Sequence, residues 1–267
     1  MEDTRIIQMI NNNPSVIKTI ESPTEEMKLL AVSKKGSLLE YIENPTEEME
    51  KIAVENDVNA IEFVKNPTEE MMLYVVKKGW TNLADIKNPT DRVIKEAISQ
   101  SGWAIKYVKE PNEELQLLAV SQTYDAIQYI ENPFESVQLE VVKKTYEALR
   151  YIDKPCEKAQ LLAIKSSDKA IRFLVRIEYD RILEFLRENI LVINHVADRV
   201  SQEDLENILK DVLSKDDVDE DYVRNFLRCS AIDRNSSSFK LDKILFVHKY
   251  GSKKAKKITV DERLKTI

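Results

Sequence analysis

Seven of the eight prolines stand at Pro23, Pro45, Pro67, Pro89, Pro111, Pro133 and Pro155, a spacing of 22 residues without one insertion. A fixed period of this length is an internal repeat. A unit so short cannot bury its own apolar face, so successive units must stack into a solenoid. The seven units run from PTEEMKLLAVSKKGSLLEYIEN to PCEKAQLLAIKSSDKAIRFLVR and cover residues 23–176. Residues 1–22 read as a worn first unit, because Val16, Ile17 and Ile20 take the places of Leu38, Leu39 and Ile42. Residues 177–198 read as a degenerate last unit carried by Leu183, Leu186, Val192, Ile193 and Val196. The expected fold is all-α: an α-solenoid of 22-residue helical hairpins over residues 1–198. At roughly 10 Å per unit it would be a curved rod on the order of 80 to 90 Å long.

Each unit carries helix punctuation. The residue before proline is Ser22, Asn44, Asn66, Asn88 or Asn132 in five units, and Glu or Asp stands two residues after proline in all seven. This predicts an N-cap, proline at the first helical position and an acid at the third. Gly36, Gly79 and Gly102 fall where the first helix should end, and a positive φ there would terminate it. A second, shorter helix follows, with Ala126, Ile127 and Ile130 as its representative core residues. The inner places hold only Ala or Val (Ala31, Ala53, Val75, Ala97, Ala119, Val141, Ala163) followed by Val or Ile, so neighbouring helices can approach closely.

Beyond the array, residues 199–233 keep helical periodicity. Leu205, Ile208, Leu209, Val212 and Leu213 form one apolar face and Tyr222, Val223, Phe226 and Leu227 another, which reads as a helical cap. Residues 234–267 form a basic C-terminal segment. From Ser236 onward it holds nine Lys/Arg against three Asp/Glu, a net +6, against −13 for the 235 residues before it. Its β-prone runs around Tyr250 and Gly251 predict a small β-hairpin, with one helix and a loose end as the other reading.

Composition removes several function classes. Four glycines cannot build a dinucleotide-binding fingerprint or a phosphate-binding loop. Cys156 and Cys229 lie far apart with no CxxC pair, so no metal site, cofactor or disulfide framework is expected, and isolated thiols suit a cytoplasmic protein. No apolar run is long enough for a membrane span, and the opening MEDTRIIQMINNNP lacks a basic leader.

Other features have plain readings. The glutamate pairs (Glu25 and Glu26, Glu47 and Glu48, Glu69 and Glu70, Glu113 and Glu114) recur at four of the seven predicted helix starts, and a single acid stands at the other three, where negative charge complements the dipole. Lys34, Lys35, Lys77, Lys78, Lys143, Lys144 and Lys165 complement it at the helix ends, or else form a basic ridge. Asp217, Asp219 and Asp221 open like a calcium loop, but Tyr222 stands at the sixth position and Arg228 at the twelfth, so an acidic first helical turn is the better account. His195 reads as packed among Val192, Ile193 and Val196. No catalytic residues are assigned.

The expected binding residues lie elsewhere. Tyr41, Phe63, Tyr107, Tyr129, Tyr151 and Phe173 recur at one place in the second helix, with Asp85 the exception. The place reads as core between repeats; a stacking ladder for a partner is the other reading. Trp80 and Trp103 fall at inter-helix turns, where burial is harder. With Asp85 they mark the units from Pro67 to Glu110 as irregular, and Trp80, Trp103, Asp85, Tyr107 and Tyr129 are the residues expected to bind a protein partner. His248, Lys249, Lys253, Lys254, Lys256 and Lys257 are the candidate anion-binding residues of the tail.

The pattern Asn-Pro-Thr-Glu-Glu, then Leu-Leu-Ala-Val, then Ala-Ile-x-Tyr-Ile resembles a short helical repeat of uncharacterised bacterial, phage and large-virus proteins. It is also similar to the leucine-rich variant repeat. That resemblance spans residues 1 to about 198 and implies a hairpin of one α-helix and one shorter, often 3₁₀, helix. The cysteine-bound cluster carried by some variant-repeat proteins is not implied, because only Cys156 and Cys229 are present. The expected function is a non-catalytic protein-interaction scaffold or inhibitor. The alternative is a nucleic-acid-linked protein, either gripping phosphate with its lysine tail or mimicking nucleic acid with its acidic body to block a host enzyme.

Overall fold

A computed structural model describes residues 2–265. The chain forms two compact units, one ending at Glu131 and the other beginning at Asn132. Each α-helix of the array is followed by a 3₁₀ helix. The first unit contains α1 (Glu2–Asn12), α2 (Glu25–Lys34), α3 (Glu47–Asn56), α4 (Glu69–Lys78), α5 (Asp91–Gln100) and α6 (Glu113–Gln122). Their 3₁₀ partners are Pro14–Thr19, Gly36–Tyr41, Val58–Phe63, Trp80–Asp85, Gly102–Tyr107 and Tyr124–Tyr129.

The second unit continues with α7 (Glu135–Lys144), α8 (Glu157–Ser166) and α9 (Tyr179–Glu188), followed by 3₁₀ helices Tyr146–Tyr151, Asp168–Phe173 and Ile190–Val192. The short α10 (Ile193–Val196) leads into a 3₁₀ turn, Ala197–Arg199. Then come α11 (Gln202–Leu213), α12 (Glu220–Arg228), α13 (Lys243–Tyr250) and α14 (Lys253–Leu264). Here α11 packs on α9, and α12 packs on the Ile190–Val192 segment and on α14. The all-α repeat architecture is therefore as the proline period predicts.

The predicted helix starts shift by two residues. The N-cap is the residue after proline: Thr24, Thr46, Thr68, Thr90 or Asn112, whose side-chain oxygen accepts the backbone N–H three residues on. The glutamates then occupy the first helical turn. An N-cap needs extended backbone, and the residue before proline does not offer it throughout, because Asn44, Asn88 and Glu110 sit at φ 51, 52 and 49°.

No glycine lies in the left-handed region, so the predicted role of glycine as a left-handed helix stop is also corrected. Gly36 and Gly102 serve close approach instead. A Cβ on either would lie 2.2 Å from the carbonyl oxygen of Ala53 or Ala119 in the following repeat. Gly79 is extended, at φ 172°, and a Cβ there would meet nothing nearer than 3.7 Å.

The core is the column of small inner residues. Ala31, Ala53, Val75, Ala97 and Ala119 are fully buried in the first unit, and Val141 and Ala163 in the second. Polar side chains lock the layers together. Asn56 accepts from Gly36 N–H at 3.0 Å and donates to Ser33 O at 2.9 Å, while Gln100 donates to Val76 O at 2.9 Å. In the second unit Asn189 donates to Ile164 O at 2.9 Å. Gln138 donates to Pro133 O at 3.0 Å and accepts from Cys156 N–H at 2.8 Å. Thus carbonyls left free at one helix end are satisfied by the next repeat.

The tail departs from the sequence reading. The predicted β-hairpin is replaced by the helices α13 and α14, and the two strands in the described residues are the short parallel pair β1 (Ile232–Asp233) and β2 (Phe239–Lys240). Caps and burial override the β-propensity of Leu-Phe-Val and Ile-Thr-Val. Asp242 accepts from Leu245 N–H at 3.1 Å and Ser252 from Ala255 N–H at 3.2 Å. Phe246 and Val247 on α13, and Ala255, Ile258 and Thr259 on α14, are buried at helical spacing.

Replacing Gly36 or Gly102 by Ala is expected to destabilise the protein by about 3 kcal/mol, because the colliding atom is backbone. Gly79→Ala should be neutral or stabilising by a few tenths of a kcal/mol, roughly. Thermal unfolding followed by circular dichroism separates the three; equal losses would refute the close-approach assignment.

Candidate functional site: the aromatic row on the 3₁₀ helices

The sequence place read first as core lies at the surface. Tyr41, Tyr129 and Tyr151 are 48, 43 and 38% exposed, and Phe63, Tyr107 and Phe173 are half-buried. Apart from Pro14–Thr19, Trp80–Asp85 and Ile190–Val192, each 3₁₀ segment fills its layer with a buried Ala or Leu, the buried Ile or Leu beside it and an extended residue beyond, as at Ala126, Ile127 and Ile130; in Trp80–Asp85 half-buried Asn82 takes the first of these places. A ring placed before that last residue remains on the rim.

The rings make a repeated arrangement. An aromatic residue opening one 3₁₀ helix meets the aromatic residue closing the next: Trp80 and Tyr107 at 6.2 Å between centroids in the first unit, Tyr146 and Phe173 at 6.3 Å in the second. Cations lie over the ring faces. Lys106 Nζ sits 5.3 Å from the Trp80 centroid and 4.8 Å from that of Tyr107; Lys18 Nζ is 3.5 Å from Tyr41. In the second unit the Arg150 guanidinium lies 5.3 Å from Phe173 and 5.8 Å from Tyr151. Ring quadrupoles attract such cations and hold the side chains in place.

Of the residues expected to bind a partner, Trp80 and Tyr107 are therefore brought together through Lys106. Trp103 is separate: its indole N–H donates to Asp125 Oδ1 at 2.9 Å while the ring remains exposed. Asp85 is half-buried and interrupts the row between Phe63 and Tyr107. Sequence reasoning missed Tyr124, which is 46% exposed and stands at the same place in its repeat as Trp80. That shared place was the available signal.

The tail docks within the second unit. Phe246 lies 6.3 Å from Phe226 and 4.9 Å from Tyr250 between ring centroids, Arg228 pairs with Glu262 at 2.7 Å, and Lys243 Nζ donates to Leu227 O at 2.6 Å. His248, Lys249, Lys253, Lys256 and Lys257 are exposed and Lys254 is half-buried. Lys249 lies over Tyr250 at 4.9 Å, and its hydrogen bond to that ring's hydroxyl raises its pKa. Among the described residues, none of Lys253, Lys254, Lys256 and Lys257 at the start of α14 forms an ion pair, although the helix dipole there is positive.

Other candidates resolve into structural roles. Asp219 caps α12 by accepting from Asp221 N–H at 2.8 Å and Tyr222 N–H at 3.4 Å. His195, which the sequence left without a partner, meets Asp168 with Nε2 and Oδ2 2.8 Å apart. The Cys229 thiol is 3.7 Å from Asn194 Oδ1, and burial pushes its pKa up, away from the thiolate a nucleophile needs. Among the described residues no group of three acidic, histidine or cysteine side chains could hold a metal ion, and no helix is long and apolar enough to cross a membrane. Comparison with protein-family models, curated proteins and solved structures finds no match.

Two measurements check this site description. A thiol reagent should label Cys156 in the native protein and Cys229 only on unfolding; equal native rates would contradict the burial of Cys229. Asp242 is held below the ordinary carboxylate range by the Leu245 N–H and Arg234, and Glu262 by Lys265 and Arg228. Carboxyls with lowered pKa stabilise the fold fully above their unfolded pKa, and that contribution is lost as pH falls through the folded value. Hydrogen-exchange protection of α14 should therefore persist through mild acidification and fall below the ordinary carboxylate range; protection independent of pH would show that these ion pairs do not hold the tail.

Proposed function

We propose that this chain is a non-catalytic interaction scaffold that binds another protein through the 3₁₀ side of its repeats. The carrying observation is that exposed aromatic side chains recur at one place in the repeats of each unit, some of them with cations over their faces, and that the first unit adds the exposed ring of Trp103, whose indole N–H is held by Asp125. Tyrosine and tryptophan dominate the energetics of protein interfaces because they add large contact area at low entropic cost. Rings fixed before binding lose still less. An inhibitor would act in the same way, with the partner's own working surface as the part covered.

The test compares partner capture by the full chain with capture by Trp103→Ala and Tyr129→Ala, both at exposed rings whose loss leaves the core intact. Each should weaken binding of a captured protein at least about tenfold. Lys143→Ala, on α7, serves as the control with unchanged affinity. Undiminished affinity of both aromatic variants, at unchanged helical content, would overturn the proposal.

A further inference from the structure

Within the first unit, α3 and α4 pack less closely than the other successive α-helices. At the place held by Leu30 and Ile52 in the two preceding repeats and by Glu96 in the next, α4 carries Tyr74, whose hydroxyl donates to Glu55 O at 3.3 Å across the gap. The result is a cleft of about 400 Å³ floored by Val54, Met71 and Tyr74 and rimmed by Glu47, Glu55 and Glu70, with Lys51 beside them. Among the described residues none of these three glutamates has an ion-pair partner. Burial, with the neighbouring Glu47 carboxylate, raises the pKa of Glu50 on the same helix, another sign of local negative excess.

The complementary surface is in the same chain. Exposed Lys253, Lys256 and Lys257 lie N-terminal to exposed Val260 and Leu264 on α14, at helical spacing, and the four lysines of this helix have no ion pair among the described residues. Positive charge at a helix N-terminus opposes the dipole, so these lysines do not serve the helix they begin. Lysine stems are apolar and long enough to lie against the half-buried Tyr74 while the ammonium groups reach rim carboxylates. A polyanion would use the lysines but leave the cleft unexplained, and it would face the −13 charge of the first 235 residues.

We propose that the α3–α4 cleft of one copy receives the lysine-bearing face of α14 from a second copy of this chain. The contact joins unlike surfaces, so a dimer keeps one free cleft, on one copy, and one free α14 face, on the other, and association continues beyond the dimer unless a ring closes. It uses neither Trp103 nor Tyr129, so its failure is distinguishable from that of the aromatic row.

Sedimentation velocity on the full chain over a concentration series tests it. Average mass should rise with concentration at about 0.1 M salt and return to monomer at about 1 M, where the screening length has shrunk from about 10 to about 3 Å. The pair Lys253→Glu with Lys257→Glu, and separately Glu55→Lys with Glu70→Lys, should each lower the association constant at least about tenfold. Mixing the two charge-reversed proteins should restore association, which a misfolded variant could not do. A monomer at every concentration, or association indifferent to either reversal, would overturn the proposal. So would a lysine variant that loses an oligonucleotide probe while its self-association is unchanged.

Discussion

Everything in the array depends on how closely one repeat's α-helix can approach the next, and the side chain at a single inner place sets that distance. Alanine or valine stands there in every regular repeat, fully buried where the layers meet. A larger residue would spread the stack and open voids of the kind that cost stability in any close-packed interior. Gly36 and Gly102 show the limit of this approach, since each gives room to a carbonyl oxygen of the following repeat. Where bulk intrudes at the outer places of α4, the helices part and a cleft appears.

Close stacking leaves backbone polar groups facing one another across layers, and apolar burial alone would orphan them. Asn56, Gln100, Gln138 and Asn189 answer this by bonding to the backbone of a neighbouring repeat. These bonds fix the register between layers, because an amide that misses its carbonyl by one residue loses both partners. The exposed ion pairs between repeats, such as Lys95 with Glu114 and Lys158 with Glu135, are screened by water and contribute little beside them.

The aromatic row follows from the same economy of space. With the 3₁₀ layer filled by small and branched apolar side chains, rings at its edge stay at the surface and pair with rings and cations of adjacent repeats. Apolar area and positional regularity thus coexist on a face free to meet a partner. On α14, Ala255, Ile258 and Thr259 turn inward while Lys253, Lys254, Lys256 and Lys257 form no ion pair among the described residues, which separates the part of the helix that serves folding from the part that remains available.

The repeat pattern by itself determined the unit, its length, its all-α class and the buried column of Ala and Val, because a solenoid's core is local and every unit restates it. Finer points needed the tertiary structure. Whether Tyr41 or Tyr129 is covered depends on the neighbouring repeat, not on its own sequence. Whether proline lies inside or before a helix depends on the φ of Asn44 and Asn88, which the turn between repeats imposes. The strand-like composition of residues 243–260 gave way to helices because burial against α12 and two capping side chains outweigh intrinsic preference. His195 found Asp168 from 27 residues away, and Lys106 found Trp80, through stacking alone. Sequence fixes what recurs within a unit; the contacts that single out one repeat from another arise only between units.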